Sequence, residues 1–237
     1  MTQPYYLMEL PTTEYREALE LQHKLVAARR DGILDRDIVL LLEHPPVFTL
    51  GRRGGREHLI VAEGFIRSKG MEVVHAERGG DVTYHGPGQL VCYPIVDLRA
   101  RQGDVLEFVG ALEEVMIRTV ADWGITAVRN TMNRGVWVGR DKLGSVGIAI
   151  RKGISFHGFA LNVNTVLEPF TWIHPCGLEG VLITSMKRVL EREVPMEDIR
   201  RAVLLHMGDI FRLEWERITP ETIYRLMADH VRERAVK

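Results

Sequence analysis

The sequence predicts an α+β fold, with helices toward the two ends of the chain and a strand-rich, antiparallel middle. Three observations carry this. Helical periodicity of apolar residues appears near each terminus and once between them. Four strand-like runs follow one another from Ile125 to Val163, separated by Gly, Asn or Asp. Such a succession fits an antiparallel meander better than βαβ alternation. Finally, 38–42 and 47–50 are short, almost wholly apolar runs of the kind that form strands buried on both faces.

In chain order, residues 12–30 place Tyr15, Leu19, Gln22, Leu25 and Val26 on one stripe, an amphipathic helix that Gly32 can stop. Ile38–Leu42 and Val47–Leu50 are strands on either side of Pro45 and Pro46, and a basic loop, GRRGGRE, follows at 51–57. Strands are expected at Glu72–His75 and Leu90–Val96. Asp104 with Glu107 forms an Asp version of the capping box. It opens a helix carrying Leu106, Val109, Leu112, Met116, Val120 and Trp123. The four runs of the meander are Ile125–Arg129, Gly135–Val138, Lys142–Ile150 and Ile154–Val163. Two helices close the chain, one after Pro195 (Ile199, Val203, Leu204, Met207) and one capped by Thr219 and Pro220 (Ile223, Leu226, Met227, Val231). With no internal repeat and no linker, residues 1–237 are expected to form one domain.

Composition narrows the function. Lys plus Arg (31) nearly cancels Asp plus Glu (32), so nothing favours nucleic acid as a partner. The first thirty residues lack a signal-peptide pattern, and no apolar run is long enough to span a bilayer. A cytoplasmic protein with no membrane partner is expected. Two cysteines, Cys92 and Cys176, are too few for a disulfide scaffold.

The densest functional signal is RGGDVTYHGPGQLVCYPIVD, Arg78–Asp97. Gly79 and Gly80 let the backbone approach a ligand. Gly86, Pro87 and Gly88 make a rigid turn beside Tyr84 and His85. A Gly/Pro cluster alone is simply a β-turn in a hairpin. Arg78, Asp81, Thr83, Tyr84, His85 and Gln89 supply more hydrogen-bonding groups than a turn requires.

Cys176 lies in HPCGL, outside any periodic pattern, where Pro175 and Gly177 hold it in a turn. A lone cysteine is ordinarily a small buried hydrophobe, as Cys92 in LVCYPIV reads, but a loop thiol with backbone N–H groups around it is suited to acyl chemistry. Lys142, which opens KLGSVGIAI, reads as a solvated strand end unless it meets Cys176, whose thiolate an ammonium would favour. His85, His157 and His174 leave open a Cys/His dyad or a zinc site with Cys176. Neither has the spacing its chemistry needs. There is no Walker A loop and no GxSxG elbow. The loop with Arg52, Arg53 and Arg56 reads as a solvated turn.

RGGDVTYHGPGQL, KLGSVGIAI, SFHGFALNV, PCGL and TSMK, in that order over roughly residues 45 to 188, closely resemble the lipoyl(octanoyl) transferase family. That family belongs to the biotin and lipoate protein ligase superfamily. The resemblance implies a mixed, partly antiparallel sheet flanked by helices. It also implies transfer of an octanoyl group from octanoyl-acyl carrier protein to one lysine of a lipoyl domain, in 2-oxoacid dehydrogenase complexes or the glycine cleavage H protein. On the matching positions Cys176 would carry the acyl thioester and Lys142 would shuttle protons. The substrate site would be lined by Arg78, Gly79, Gly80, Asp81, Val82, Thr83, Tyr84 and His85, by Ser145, Val146 and Gly147, and by Gly158, Phe159 and Ala160. Gly79, Gly80 and Gly158 would leave room for the acyl chain, and Arg52, Arg53, Arg56 and Arg140 would face the acidic carrier.

Exchanging one thioester for another needs no ATP, and neither metal nor cofactor is expected. Two rivals remain on sequence grounds. One is an ATP-dependent lipoate or biotin ligase on the same scaffold, although lipoate ligases typically continue from the histidine to aspartate, where this chain has Gly86. The other is a non-catalytic acyl-binding protein.

Overall fold

A computed structural model of the chain describes residues 4–99, 104–130, 133–174 and 181–235. Its framework is a sheet of strands β1 (Tyr5–Glu9), β2 (Ile38–Leu42), β6 (Gln89–Ile95), β7 (Val128–Arg129), β8 (Gly135–Val138), β9 (Asp141–Arg151), β10 (Ile154–Asn162) and β11 (Trp215–Arg217). The spatial order is β11-β1-β2-β6-β10-β9-β8-β7. Only the β1–β11 and β1–β2 pairs are parallel, and the rest are antiparallel, so the sheet is mixed as expected. A second, smaller sheet has β3 (Val47–Leu50) between β4 (Glu72–His75) and β5 (Val82–His85).

Helices cover both faces of the large sheet. Helix α1 (Tyr15–Arg30) buries Ala18, Leu21, Leu25 and Val26 with Leu40, Val91, Tyr93 and Ala160. On the opposite face α3 (Val105–Ala121) and α5 (Met196–Phe211) pack Leu112, Met116, Val203 and Met207 against Val39, Cys92 and Phe159. The alternation of side chains along β2, β6 and β10 feeds the two cores in turn, so these strands are buried along their whole length. A smaller core of Phe48, Val82, Tyr84, Ile66 and Phe170 lies under the second sheet.

The cap of α3 forms as its sequence predicts, with the Asp104 carboxylate accepting from the Leu106 N–H at 2.9 Å. Leu106 itself is exposed, as is Val105 beside it in the first turn. Four elements lie where no strand or long helix is expected: β1, β5, β11 and the short helix α2 (Glu63–Ser68). A fifth, α4 (Met186–Leu190), has Ser185 as its cap. The GPG turn does not close a hairpin. It carries the chain from β5 in the small sheet to β6 in the large one. The final helix is α6 (Pro220–Ala235), and among the described residues no helix is long and apolar enough to cross a membrane.

Candidate functional site

The β5–β6 crossover makes a cleft between the two sheets. A cavity of about 540 Å³ opens there, lined by Arg78–Thr83, His85, Ser145–Ile148 and His157–Ala160, with Lys142, Asn133, Arg134, Tyr15 and Tyr93. The three separate segments singled out in the sequence meet for a topological reason. Strand β9 pairs with β10 so that Ser145 faces Ala160 and Gly147 faces Gly158. The Gly79–Gly80 turn then lies on β9, with the Gly79 N–H donating to the Ile148 carbonyl at 2.8 Å.

That contact requires glycine. A Cβ on Gly147 would stand 2.9 Å from the Gly79 oxygen, and Gly80 has φ +84°. Gly158 serves the fold in the same way. Its Cβ would lie 2.0 Å from the Cys92 carbonyl oxygen, so the missing side chain makes space for the neighbouring strand's backbone.

Tyr84 is the one residue of the predicted lining that does not reach the cavity. Alternation along β5 turns its ring into the small-sheet core, 5.3 Å from the rings of Phe48 and Phe170. Arg78 is buried, and its guanidinium donates to the Thr49 carbonyl (2.6 Å) and hydroxyl (2.7 Å), which ties the crossover to β3. Asp81 accepts from the Val82 N–H at 2.6 Å and bonds His58 Nδ1 at 2.7 Å. Both residues therefore hold the wall of the cavity as well as facing it.

One end of the cavity is a buried aromatic and histidine cluster that sequence reading did not assemble. His44 bonds the Tyr93 hydroxyl at 2.8 Å and the Thr13 carbonyl at 2.7 Å, and His85 bonds Gln89 at 2.7 Å. Gln89 continues to Asn162, and Asn162 to the Thr184 carbonyl. His157 sits at φ +55°, with its N–H donated to Gln22 Oε1. Desolvation dominates their ionisation. It pushes His44 down to about 4, His157 down to about 3 with help from Arg78, and His85 well below its ordinary value.

A stability consequence follows with a definite sign. Below the ordinary value of 6.5 the unfolded chain takes up protons that these neutral side chains refuse, so stability must fall as pH falls. Each histidine costs about 1.4 kcal/mol per pH unit in that window, down to its own folded pKa. Thermal melts from pH 7.5 to 5 should show a falling Tm that is shallower in His157→Asn, since asparagine tolerates the left-handed backbone. An unchanged slope in that variant would remove His157 from the account.

At the other end is Lys142. It follows the tight turn at Gly139 and Arg140 between β8 and β9 and is only 2% exposed, so it is not a solvated strand end. Its ammonium donates to Asn133 Oδ1 at 2.6 Å and lies 5.6 Å from the centre of the Trp137 ring. Its backbone N–H donates to Leu182 O (2.8 Å), and its carbonyl accepts from the Thr184 N–H (2.9 Å). Cys176 falls outside the described residues; the residues bonded to the Lys142 backbone, Leu182 and Thr184, follow it by six and eight positions in the sequence. His174, on the entering side, donates its N–H to His58 O at 2.9 Å and borders a second hollow of about 640 Å³. Cys92 is wholly buried in the sheet.

Residues 14–208 match the family model described as the lipoyl protein ligase A/B catalytic domain. An octanoyltransferase of Desulfotalea psychrophila is 53% identical over 208 residues, covering 87% of this chain and 93% of that protein. An octanoyltransferase of Syntrophobacter fumaroxidans is 43% identical over 229 residues, covering 97% and 100%. Among solved structures, a bipartite lipoate protein ligase from Thermoplasma acidophilum superposes with a TM-score of 0.75 at 17% identity, covering 96% of this chain and 92% of that one. A lipoate-protein ligase A bound with ATP superposes with a TM-score of 0.74 at 16% identity, covering 97% and 94%. The fold is thus shared with the ligases, while sequence identity over nearly the whole length lies with the transferases. The chain belongs to the lipoyl protein ligase A/B catalytic-domain family and, within it, to the lipoyl(octanoyl) transferases.

Proposed function

We propose that this acyltransferase takes the octanoyl group from octanoyl-acyl carrier protein onto Cys176 as a thioester and passes it to one lysine of a lipoyl domain. The observation that carries the proposal is the buried amino group of Lys142 at the cavity, with its backbone bonded to Leu182 and Thr184, which follow Cys176 closely in the sequence.

The chemistry balances without a further reactant. Lys142 in its neutral form takes the Cys176 proton, and the thiolate attacks the carrier thioester carbonyl. The carbon–sulfur bond to the carrier breaks, and Lys142 returns the proton to the departing thiol. The acceptor lysine amine then attacks the Cys176 thioester. Its proton goes to Lys142, an amide forms and Cys176 is released to be reprotonated. The backbone N–H groups of Cys176 or Gly177 are the candidates for holding the tetrahedral oxyanion. Arg78–Thr83, His85, Ser145–Gly147 and Gly158–Ala160 act as the acyl cavity. Burying seven carbons beyond the carbonyl contributes on the order of 5 kcal/mol.

For the carrier, Arg53 at the cavity and the exposed Arg52 and Arg140 are the better docking candidates. Arg56 already pairs with Glu63 at 2.9 Å. The lipoyl domains in question are those of 2-oxoacid dehydrogenases and the glycine cleavage H protein, acting in the cytoplasm.

Incubation with octanoyl-acyl carrier protein and no ATP tests the proposal by intact mass. The expected result is a mass gain of one octanoyl group, labile to hydroxylamine and absent in Cys176→Ser. No adduct, with transfer appearing only when ATP is added, would assign the chain to ligase chemistry.

A further inference from the structure

Lys142 is gripped at several points along its side chain by the short segment Asn133–Trp137. Asn133 Oδ1 accepts from Nζ at 2.6 Å. The Trp137 ring faces the same ammonium, and the Trp137 indole N–H donates to the Asn133 carbonyl at 3.3 Å. Between them Gly135 presses on the lysine stem. A Cβ there would stand 2.8 Å from Lys142 Cε and 2.2 Å from the Gly144 oxygen, and φ is +128°. The segment departs from regular pairing as well, with a bulge between Val136 and Trp137 where Trp137 comes opposite Lys142.

An anchor from another layer holds this segment. Glu113 of α3 is fully buried, and its Oε1 accepts from the Gly135 N–H at 2.8 Å. Its second oxygen lies 3.6 Å from both Arg129 and Arg134, two partly exposed guanidiniums at the same corner. A buried carboxylate is costly in a helix that could have placed an apolar residue there. Its bond to Gly135 fixes a stretch of backbone that lies against the Lys142 stem.

We propose that Asn133 is a positioning residue for proton transfer, holding one N–H of Lys142 so that the amine stays aimed at the acyl-transfer centre, and that Glu113 keeps Asn133 in place. The inference rests on the reading of Lys142 as the proton carrier. An amide oxygen suits the task because it accepts from the lysine whether that group is an ammonium or an amine. It cannot take the proton itself, so the shuttle is not short-circuited. A lysine side chain is otherwise flexible, and small misplacements of a reacting group lower rates steeply.

The test compares Asn133→Leu, which keeps the volume and removes the acceptor, with Asn133→Asp, which keeps an oxygen in the same place. The readout is the single-turnover rate of Cys176 octanoylation from octanoyl-acyl carrier protein, together with KM for that donor. Asn133→Leu should lower the rate about 10- to 100-fold with KM within about threefold. Asn133→Asp should stay within about fivefold of wild type at the plateau of its pH–rate profile, which should lie at higher pH because the carboxylate favours the ammonium. In a Lys142→Ala background Asn133→Leu should cost nothing more, since a residue acting through the lysine has nothing left to position. Asn133→Ala replaces the leucine variant if that one does not fold.

A wild-type rate in Asn133→Leu overturns the proposal. So does an equal loss in the aspartate variant, or a further loss in the lysine-less background. If Lys142→Ala is itself as fast as wild type, the reading of Lys142 falls and this inference falls with it. A slow Lys142→Ala beside a normal Asn133→Leu sinks the positioning role alone.

Discussion

Cys176→Ala is expected to reduce octanoyl transfer to a lipoyl domain by on the order of 10⁴-fold or more, the scale seen when a covalent nucleophile is deleted. No other thiol can stand in. Cys92 is the second of the two cysteines, and it lies fully buried between β2 and β10 with its thiol pushed far up by desolvation. A serine at 176 would fare little better, because a hydroxyl is a far weaker nucleophile than a thiolate at neutral pH. The measurement is the rate of octanoyl mass gain on the lipoyl domain. The loss should fall on kcat while binding of the octanoyl donor survives, because the cavity walls lie elsewhere in the chain. Transfer within tenfold of wild type would remove Cys176 from the mechanism.

Lys142→Met should lower kcat by about 10² to 10³, the range for loss of a general acid–base group. Methionine is the informative choice because the stem of Lys142 lies against Gly135. It retains much of that packing and deletes the amine. Two readings of such a loss are separable. If Lys142 favours the thiolate, alkylation of Cys176 by iodoacetamide in the absence of substrate should also slow at neutral pH. If the lysine acts only later, as the acid that protonates the departing carrier thiol, alkylation would be unchanged while kcat falls.

Much of the architecture is legible in local patterns. The α3 cap, the two amphipathic terminal helices and the apolar runs of β2 and β3 are each stated within a dozen residues. Each records a requirement that is itself local: a satisfied N–H, a stripe of 3.6 period, a strand buried on both faces. The elements that escaped are those stabilised from outside. Strand β5 reads as a polar turn because VTYH gains its strand character only by pairing with β3. Strand β11 is three residues held by β1 from the other end of the chain.

The site divides along the same line. The glycines, Arg78, Lys142 and Cys176 stand in motifs that mark them as special before any fold is known. Nothing in the sequence marks Thr49, Asn133 or Glu113 as their partners. Thr49 meets Arg78 across 29 positions and Glu113 meets Gly135 across 22, distances that no periodicity spans. Tyr84 shows the converse error. Beside His85 in the motif it looks like a ligand contact, and one step of strand alternation sends it into the opposite core.

By itself, the sequence determined the family and the α+β class, and it singled out Cys176, Lys142 and the segments that line the cavity as candidates. Those follow from residue types and their order, which the chain carries in any conformation. Only the tertiary structure decided that Gly158 makes room for a strand and that three buried histidines are held neutral. It alone put Lys142 in a grip formed by Asn133, Gly135 and Trp137. Those are matters of desolvation and close contact, and they come into being only when distant segments exclude water from one another.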